Sequence, residues 1–179
     1  MPNIVLPWLN DHVELPAGLT AEQLALDLVK VGLEEEEIHS SGITGPLVVG
    51  RVLEMTPEPQ KNGKVINWCQ VDVGELNDLD ESGQPTVARG IVCGAHNFGV
   101  GDLVVVVLPG AVLPGPFEIA ARKTYGHVSD GMICSERELG LGDDHDGIIV
   151  LTRKGFAEVD LTPGQNVLPL LGLDEEILE

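Results

Sequence analysis

A chain of 179 residues suffices for one ordinary domain or two small ones, and a hydrophobic fraction of 43% with mean hydropathy +0.14 excludes wholesale disorder. A formal net charge of −19 repels phosphate as a uniform field, so composition by itself argues against nucleic-acid binding unless the ten Lys and Arg are used locally. Aromatics are scarce at 3%, whereas 22 Gly and 12 Pro predict many turns and short strands.

The first predicted element is a helix. Thr20 followed by Gln23 is a capping box, in which each side chain satisfies an orphan backbone N–H, and Leu24, Leu28 and Val31 then recur at helical spacing. Gly32 is the expected left-handed stop. The acidic run of residues 34–37, ending in Ile38, reads as a solvent-facing strand or its approach. Residues 40–46, rich in Ser, Gly and Pro, read as a connector.

From Leu47 the texture changes to short strands and turns. A strand is predicted over residues 47–55, ended by Pro57 and Pro59. Residues 66–73 alternate, with Cys69, Val71 and Val73 on one face and Gln70 and Asp72 on the other. Residues 75–85 read as an acidic surface loop, 86–93 as a strand, and 103–108 as a fully apolar strand stopped by Pro109-Gly110. Residues 117–124 and 128–134 suggest a hairpin turned near Gly126, and 147–151 a last strand. This pattern predicts an α+β chain with an inserted all-β domain: a five-stranded OB-type barrel over residues 41–151, placed between the two halves, 1–40 and 152–179, of a small discontinuous α+β domain. Within the second half, residues 165–171 are expected to form a short helix ended by Gly172.

Cys69, Cys93 and Cys134 are widely spaced and odd in number, which reads as free thiols in a reducing cytoplasm. The N-terminal residues lack a signal-peptide pattern, and no apolar run is long enough to span a bilayer, so no membrane role is expected. The cysteines with His96, His127 or His145 lack metal-ligand spacing, and buried strand thiols are the simpler reading. Asp143-Asp144-His145-Asp146-Gly147 lacks the alternating acids and terminal Glu of a calcium loop and reads as an exposed turn. Cys134-Ser135 near His145 has no nucleophile elbow and no orienting third group, and Asn97, Gly99 and Gly101 lack the helix and acid of a dinucleotide site. Binding is the function left. Lys61, Lys64, Arg122 and Lys123 fall on expected loops and a strand of the barrel, either as a local basic face or as ordinary solvated charges. With Trp68, Phe98, Phe117 and Tyr125 as nearly the whole aromatic inventory there, any nucleic-acid contact would rest on phosphate and shape.

Several segments carry a resemblance. Val49-Gly50-Arg51-Val52, Cys69-Gln70-Val71-Asp72-Val73-Gly74-Glu75, Ile91-Val92-Cys93-Gly94-Ala95-His96-Asn97 and Ser129-Asp130-Gly131-Met132 are similar to the first, second and third strands and the S-x-G-M signature of the tRNA-binding OB domain of several tRNA-handling proteins. The run from Val107 to Pro114, the run from Gly131 to Leu141, Trp8-Leu9, the helix with Leu33-Glu34, and Leu171-Gly172-Leu173-Asp174 narrow this further. They resemble the N-terminal region of the bacterial phenylalanine–tRNA ligase β-subunit family.

That resemblance implies a non-catalytic segment of a longer β subunit. In the family, β pairs with a separate α subunit as a tetramer of two α and two β chains that attaches phenylalanine to its tRNA. ATP and magnesium are bound elsewhere in that holoenzyme, and the resemblance assigns no catalytic, cofactor or metal residue to this segment. The implied partner is phenylalanine-specific tRNA. Ser129 and Met132 of the signature are implied contacts, Asn97, Arg122 and Lys123 are further candidates from the resemblance, and Lys61 and Lys64 join them by charge and by their place in the loop after the first strand. The sequence departs from the family in two places: Glu58-Pro59-Gln60-Lys61-Asn62-Gly63-Lys64 replaces H-P-N-A-D-K-L, and Lys123-Thr124-Tyr125-Gly126 replaces K-L-R-G, with one cation fewer. The alternative expectation is a structural or docking module that contacts the rest of β or the α subunit and has little RNA affinity. A free-standing enzyme ranks last.

Overall fold

A computed structural model describes residues 4–33, 37–79, 82–84 and 86–179. The chain divides into two compact units, Met1–Ser41 with Pro169–Glu179, and Gly42–Leu168.

The smaller unit is knitted from both ends of the chain. Its strand Ile177–Leu178 lies between Ile4–Val5 and Ile38–His39, antiparallel to each. The expected helix runs Ala21–Val29. Gln23 N–H donates to Thr20 Oγ1 at 3.3 Å and Thr20 N–H to Gln23 Oε1 at 3.5 Å, which completes the capping box. Ala21 and Ala25 pack with Leu178, flanked by Leu24 and Leu28. Val31 falls beyond the helix and is exposed, because Gly32 at φ +87° ends the helix and Leu33 N–H folds back to Leu28 O. Of the acidic run, residues 34–36 lie outside the described residues.

The larger unit holds the barrel. Its strands are β1 (Leu47–Pro59), β2 (Val65–Asp72), β3 (Arg89–Cys93), β4 (Leu103–Val107) and β5 (Met132–Ile133). They form one antiparallel sheet in the order β5-β4-β1-β2-β3, nearly closed into a barrel, the OB arrangement. The alternation along β2 puts Cys69 and Val71 inside, with Val73 just beyond, where they meet Val52, Ile91, Val104, Val106 and Ile133. Between β3 and β5 the closure is made by residues 129–131. Asp130 N–H donates to Gly90 O at 2.9 Å, and Val92 N–H donates to Ser129 Oγ at 3.0 Å.

Several boundaries differ from the sequence expectation. Strand β1 continues through Pro57 to Pro59, because beyond Arg51 it has β2 as its only ladder partner, and a missing proline N–H on the free edge breaks no ladder. Strand β3 starts at Arg89, while Asp80, Glu81 and Pro85 of the acidic loop lie outside the described residues. The expected hairpin turned near Gly126 is present but short, pairing Arg122–Thr124 with His127–Ser129, because Phe117–Glu118 pairs instead with Val112–Leu113 and Met132–Ile133 with β4. The expected strand at 147–151 contributes one bridge, Val104 to Val150, before a 3-10 turn at Leu151–Lys154. Residues 152–168, expected with the flanking half, lie in the barrel unit: Gly164 and Val167 donate to Val49 O and Leu47 O at 2.8 and 3.0 Å. Only Pro169–Leu171 of the expected short helix is helical, as one 3-10 turn.

Candidate nucleic-acid interface

The outer face of β2 and β3 is where the exposed chemistry collects. Opposite the buried Cys69 and Val71, Trp68 projects outward from β2. Its benzo ring lies directly over Gly90, where a Cβ would come within 2.2 Å of it. The imidazole of His127 stacks on the indole at 4.1 Å with 13° between the planes, and its Nε2 lies 3.0 Å from both carboxylate oxygens of Glu58. Glu58, Trp68 and His127 therefore clamp the Arg122–Ser129 ribbon to the β1–β2 hairpin. Beside the clamp, Lys64, Ile66, Val92, His96, Thr124 and Tyr125 line a cleft of ≈ 510 Å³.

Ion pairing separates the cations into two groups. Lys30, Arg51, Arg89, Arg153 and Lys154 each contact a carboxylate. Among the described residues, Lys61, Lys64, Arg122, Lys123 and Arg137 make no ion pair, and all five are exposed. Lys61 and Lys64 belong to the β1–β2 turn, closed by a Gln60 N–H to Lys64 O bond of 2.7 Å, and Arg122 and Lys123 belong to the ribbon clamped against it. On an acidic protein, four of the five unpaired cations thus lie on two adjoining hairpins, and the fifth, Arg137, follows β5. Arg122 also lies 5.3 Å over the exposed ring of Phe117, and with Met132 these two line a smaller cleft of ≈ 100 Å³.

The remaining sequence candidates occupy other places. Ser129 is 8% exposed; its hydroxyl accepts from Val92 N–H and donates to Gly131 O, both at 3.0 Å. Asn97 pairs its amide with the backbone of Ile148, donating to the carbonyl at 2.9 Å and accepting the N–H at 3.0 Å. Gly131 has φ +131°, and a Cβ there would sit 2.8 Å from Val107 O, so the signature's glycine is a requirement of barrel closure. Asp72 of the second-strand motif accepts from Gly74 N–H and Asn77 Nδ2, which fixes the turn at Gly74–Leu76. Ser135 is bonded to Glu138, and His145 to the Asp143 carbonyl, so the structure does not assemble a nucleophile and base from them. Burial pushes the Cys69 thiol up to about 12 and the Cys93 thiol up to about 11, and raises Cys134 as well. Among the described residues no group of three or more His, Cys, Asp or Glu could hold a metal ion, and no helix is long and apolar enough to cross a membrane.

A family model described as "Putative tRNA binding domain" matches residues 47–158, which takes in all five barrel strands, the clamp and the Arg122–Ser129 ribbon. The chain belongs to this tRNA-binding domain family. Its matched segment contains all five unpaired cations and both clefts. Across its whole length the chain is also similar to phenylalanine–tRNA ligase β subunits. It is 64% identical to that of Bifidobacterium longum (100% of this chain, 21% of the relative) and 55% identical to that of Leifsonia xyli (98% and 21%). It is 53% identical to that of Thermobifida fusca (98% and 20%). The chain therefore spans about a fifth of the length of the curated relatives it matches.

Two features of this tRNA-binding domain escape sequence reasoning. The Glu58–His127–Trp68 clamp joins residues 69 positions apart through side chains that carry no local pattern. Arg89 holds the carboxylates of Asp78 and Asp130 and the carbonyl of Leu76, tying the segment after β2 to the barrel seam. Burial, and then the neighbouring Asp78, raise the Asp130 carboxyl above its ordinary range, and Arg89 opposes the rise.

Proposed function

We propose that the barrel unit binds tRNA through the β1–β2 hairpin and the Arg122–Ser129 ribbon, with Lys61, Lys64, Arg122 and Lys123 on phosphates and Met132 at the edge of that surface. The observation that carries this reading is the gathering of unpaired cations on two adjoining hairpins of a chain with net charge −19. Phosphate contact releases counterions and supplies sequence-independent affinity, so an acidic protein needs its cations in one place to use it. Ser129 and Asn97 act in this reading behind the surface, holding the seam and the Ile148 segment. The test is a titration of fluorescently labelled tRNA with the chain at low and moderate salt. Affinity that declines steadily as salt rises is expected; no binding at low salt would refute it.

The high identity over the whole chain supports placing it as a segment of a phenylalanine–tRNA ligase β subunit acting in the cytoplasm, with phenylalanine-specific tRNA as the RNA. Pairing with an α subunit and ATP- and magnesium-dependent attachment of phenylalanine belong, in this proposal, to the longer enzyme. The barrel is an insertion between the two halves of a discontinuous α+β domain. A second reading concerns that smaller unit. Trp8, Leu26, Val29, Val31 and Leu33 are exposed, and these apolar side chains favour docking against the remainder of the β chain. Replacing Leu26 and Val29 by Gln in the full β chain should lower its assembly or stability and leave tRNA affinity unchanged; unaltered assembly would refute it.

A further inference from the structure

Tyr125, the chain's single tyrosine, occupies an unfavourable backbone position. Thr124 and His127 pair in register, which leaves Tyr125 and Gly126 as the two central residues of the turn, with φ +50° and +88°. Positive φ at both positions defines the mirror-image turn that suits a twisted ribbon and favours Gly or Asn, and a bulky aromatic is disfavoured there. Internal packing does not account for it: the residue is 44% exposed, and its ring makes no hydrogen bond or ring contact among the described residues.

What the ring does is line the ≈ 510 Å³ cleft, whose floor is Ile66 and Val92 and whose rim carries Lys64, His96 and Thr124. The lysine has no ion-pair partner among the described residues, and the volume suits a small planar ligand. The other rings of the barrel are engaged. Trp68 rests on Gly90 and is stacked by His127, Phe98 is buried, and Phe117 lies under Arg122. Of the Trp, Tyr and Phe rings on this face, Tyr125 is left with an open surface, beside the exposed imidazole of His96.

We infer that Tyr125 stacks one unpaired base of single-stranded RNA in this cleft, with Lys64 on a flanking phosphate. The inference rests on the tRNA-binding reading and adds to it a preference for unpaired over duplex nucleotides. Every base has a π face, so the stack selects for strandedness and not for sequence.

Because the chain has one tyrosine, fluorotyrosine labelling gives a single fluorine NMR resonance that reports on this ring alone. The labelled chain is titrated with a short single-stranded oligoribonucleotide and with a blunt duplex of the same sequence. The resonance should shift with the single strand and stay in place with the duplex. Tyr125→Gly suits the backbone and removes the ring, so it should keep or raise the Tm, weaken single-strand affinity about tenfold and leave the salt dependence unchanged. Tyr125→Trp should retain affinity. A static resonance at saturating single strand, an equal shift with duplex, or full affinity in Tyr125→Gly would each overturn the inference and leave the tRNA-binding reading standing. Failure of the parent chain to bind either RNA at low salt would overturn both.

Discussion

Ser129→Ala separates a seam residue from an RNA contact. The Ser129 hydroxyl is buried and makes two bonds of 3.0 Å, accepting the Val92 N–H and donating to the Gly131 carbonyl. Alanine keeps the shape and leaves a donor and an acceptor open in the seam that joins β3 to the chain before β5. A net hydrogen bond contributes about 1 kcal/mol and an unsatisfied buried group costs about 1–3 kcal/mol, so the variant should lose about 2 kcal/mol. For a chain of this size that is a fall in Tm of about 4–8 °C. Thermal denaturation followed by circular dichroism reads the stability, and anisotropy of labelled tRNA well below the melt reads binding. The account expects a lowered Tm with affinity held within about twofold of the parent, since well-separated effects add. An unchanged Tm with weakened tRNA binding would refute the reasoning and make Ser129 a contact residue.

Other consequences follow from the same geometry. Gly131→Ala places a Cβ 2.8 Å from Val107 O at φ +131° and should destabilise the barrel by at least about 2 kcal/mol in a urea melt. Gly90→Val should drive Trp68 off its seat and away from His127, seen as a shift in tryptophan emission; an unshifted spectrum would argue against the stack. The buried thiols give a pH dependence of defined sign. Folding raises their values, so the folded state keeps protons that the unfolded chain releases above about pH 8.5, and stability should be complete below that value and fall as pH climbs toward about 11–12. The same thiols should resist a disulfide reagent until denaturant is added, and rapid labelling of the native chain would contradict their burial.

How far the sequence carries depends on whether the deciding contacts are local. The helix at Ala21–Val29 was legible because its cap, stripe and stop are all neighbours in sequence. Strand β2 was legible because Cys69, Val71 and Val73 alternate with polar residues, and β4 because it is apolar throughout. Failures occurred where a distant partner decides. Residues 164–167 are held out of a helix by hydrogen bonds to Val49 and Leu47 and by the Val48–Asn166 bridge, against a helical pattern that has too few residues to nucleate by itself. The hairpin at Tyr125-Gly126 is shorter than expected because Val112–Leu113 claims Phe117–Glu118. On the candidate surface, the sequence supplied the four cations but not the fact that Arg51, Arg89, Arg153 and Lys154 are neutralised by carboxylates distant in sequence. Ser129 stood out by motif. Its environment, a seam reached from β3, is visible only in three dimensions.

The most direct measurement of the central claim is the slope of log affinity for tRNA against log salt concentration, compared between the parent chain and the variant carrying Lys61→Ala, Lys64→Ala, Arg122→Ala and Lys123→Ala. If these four side chains hold phosphates, removing them should reduce the magnitude of the slope by about 2.8–3.6, at about 0.7–0.9 per contact, and weaken binding most at low salt. An identical slope in the two proteins would contradict the account and move the RNA surface away from the two hairpins.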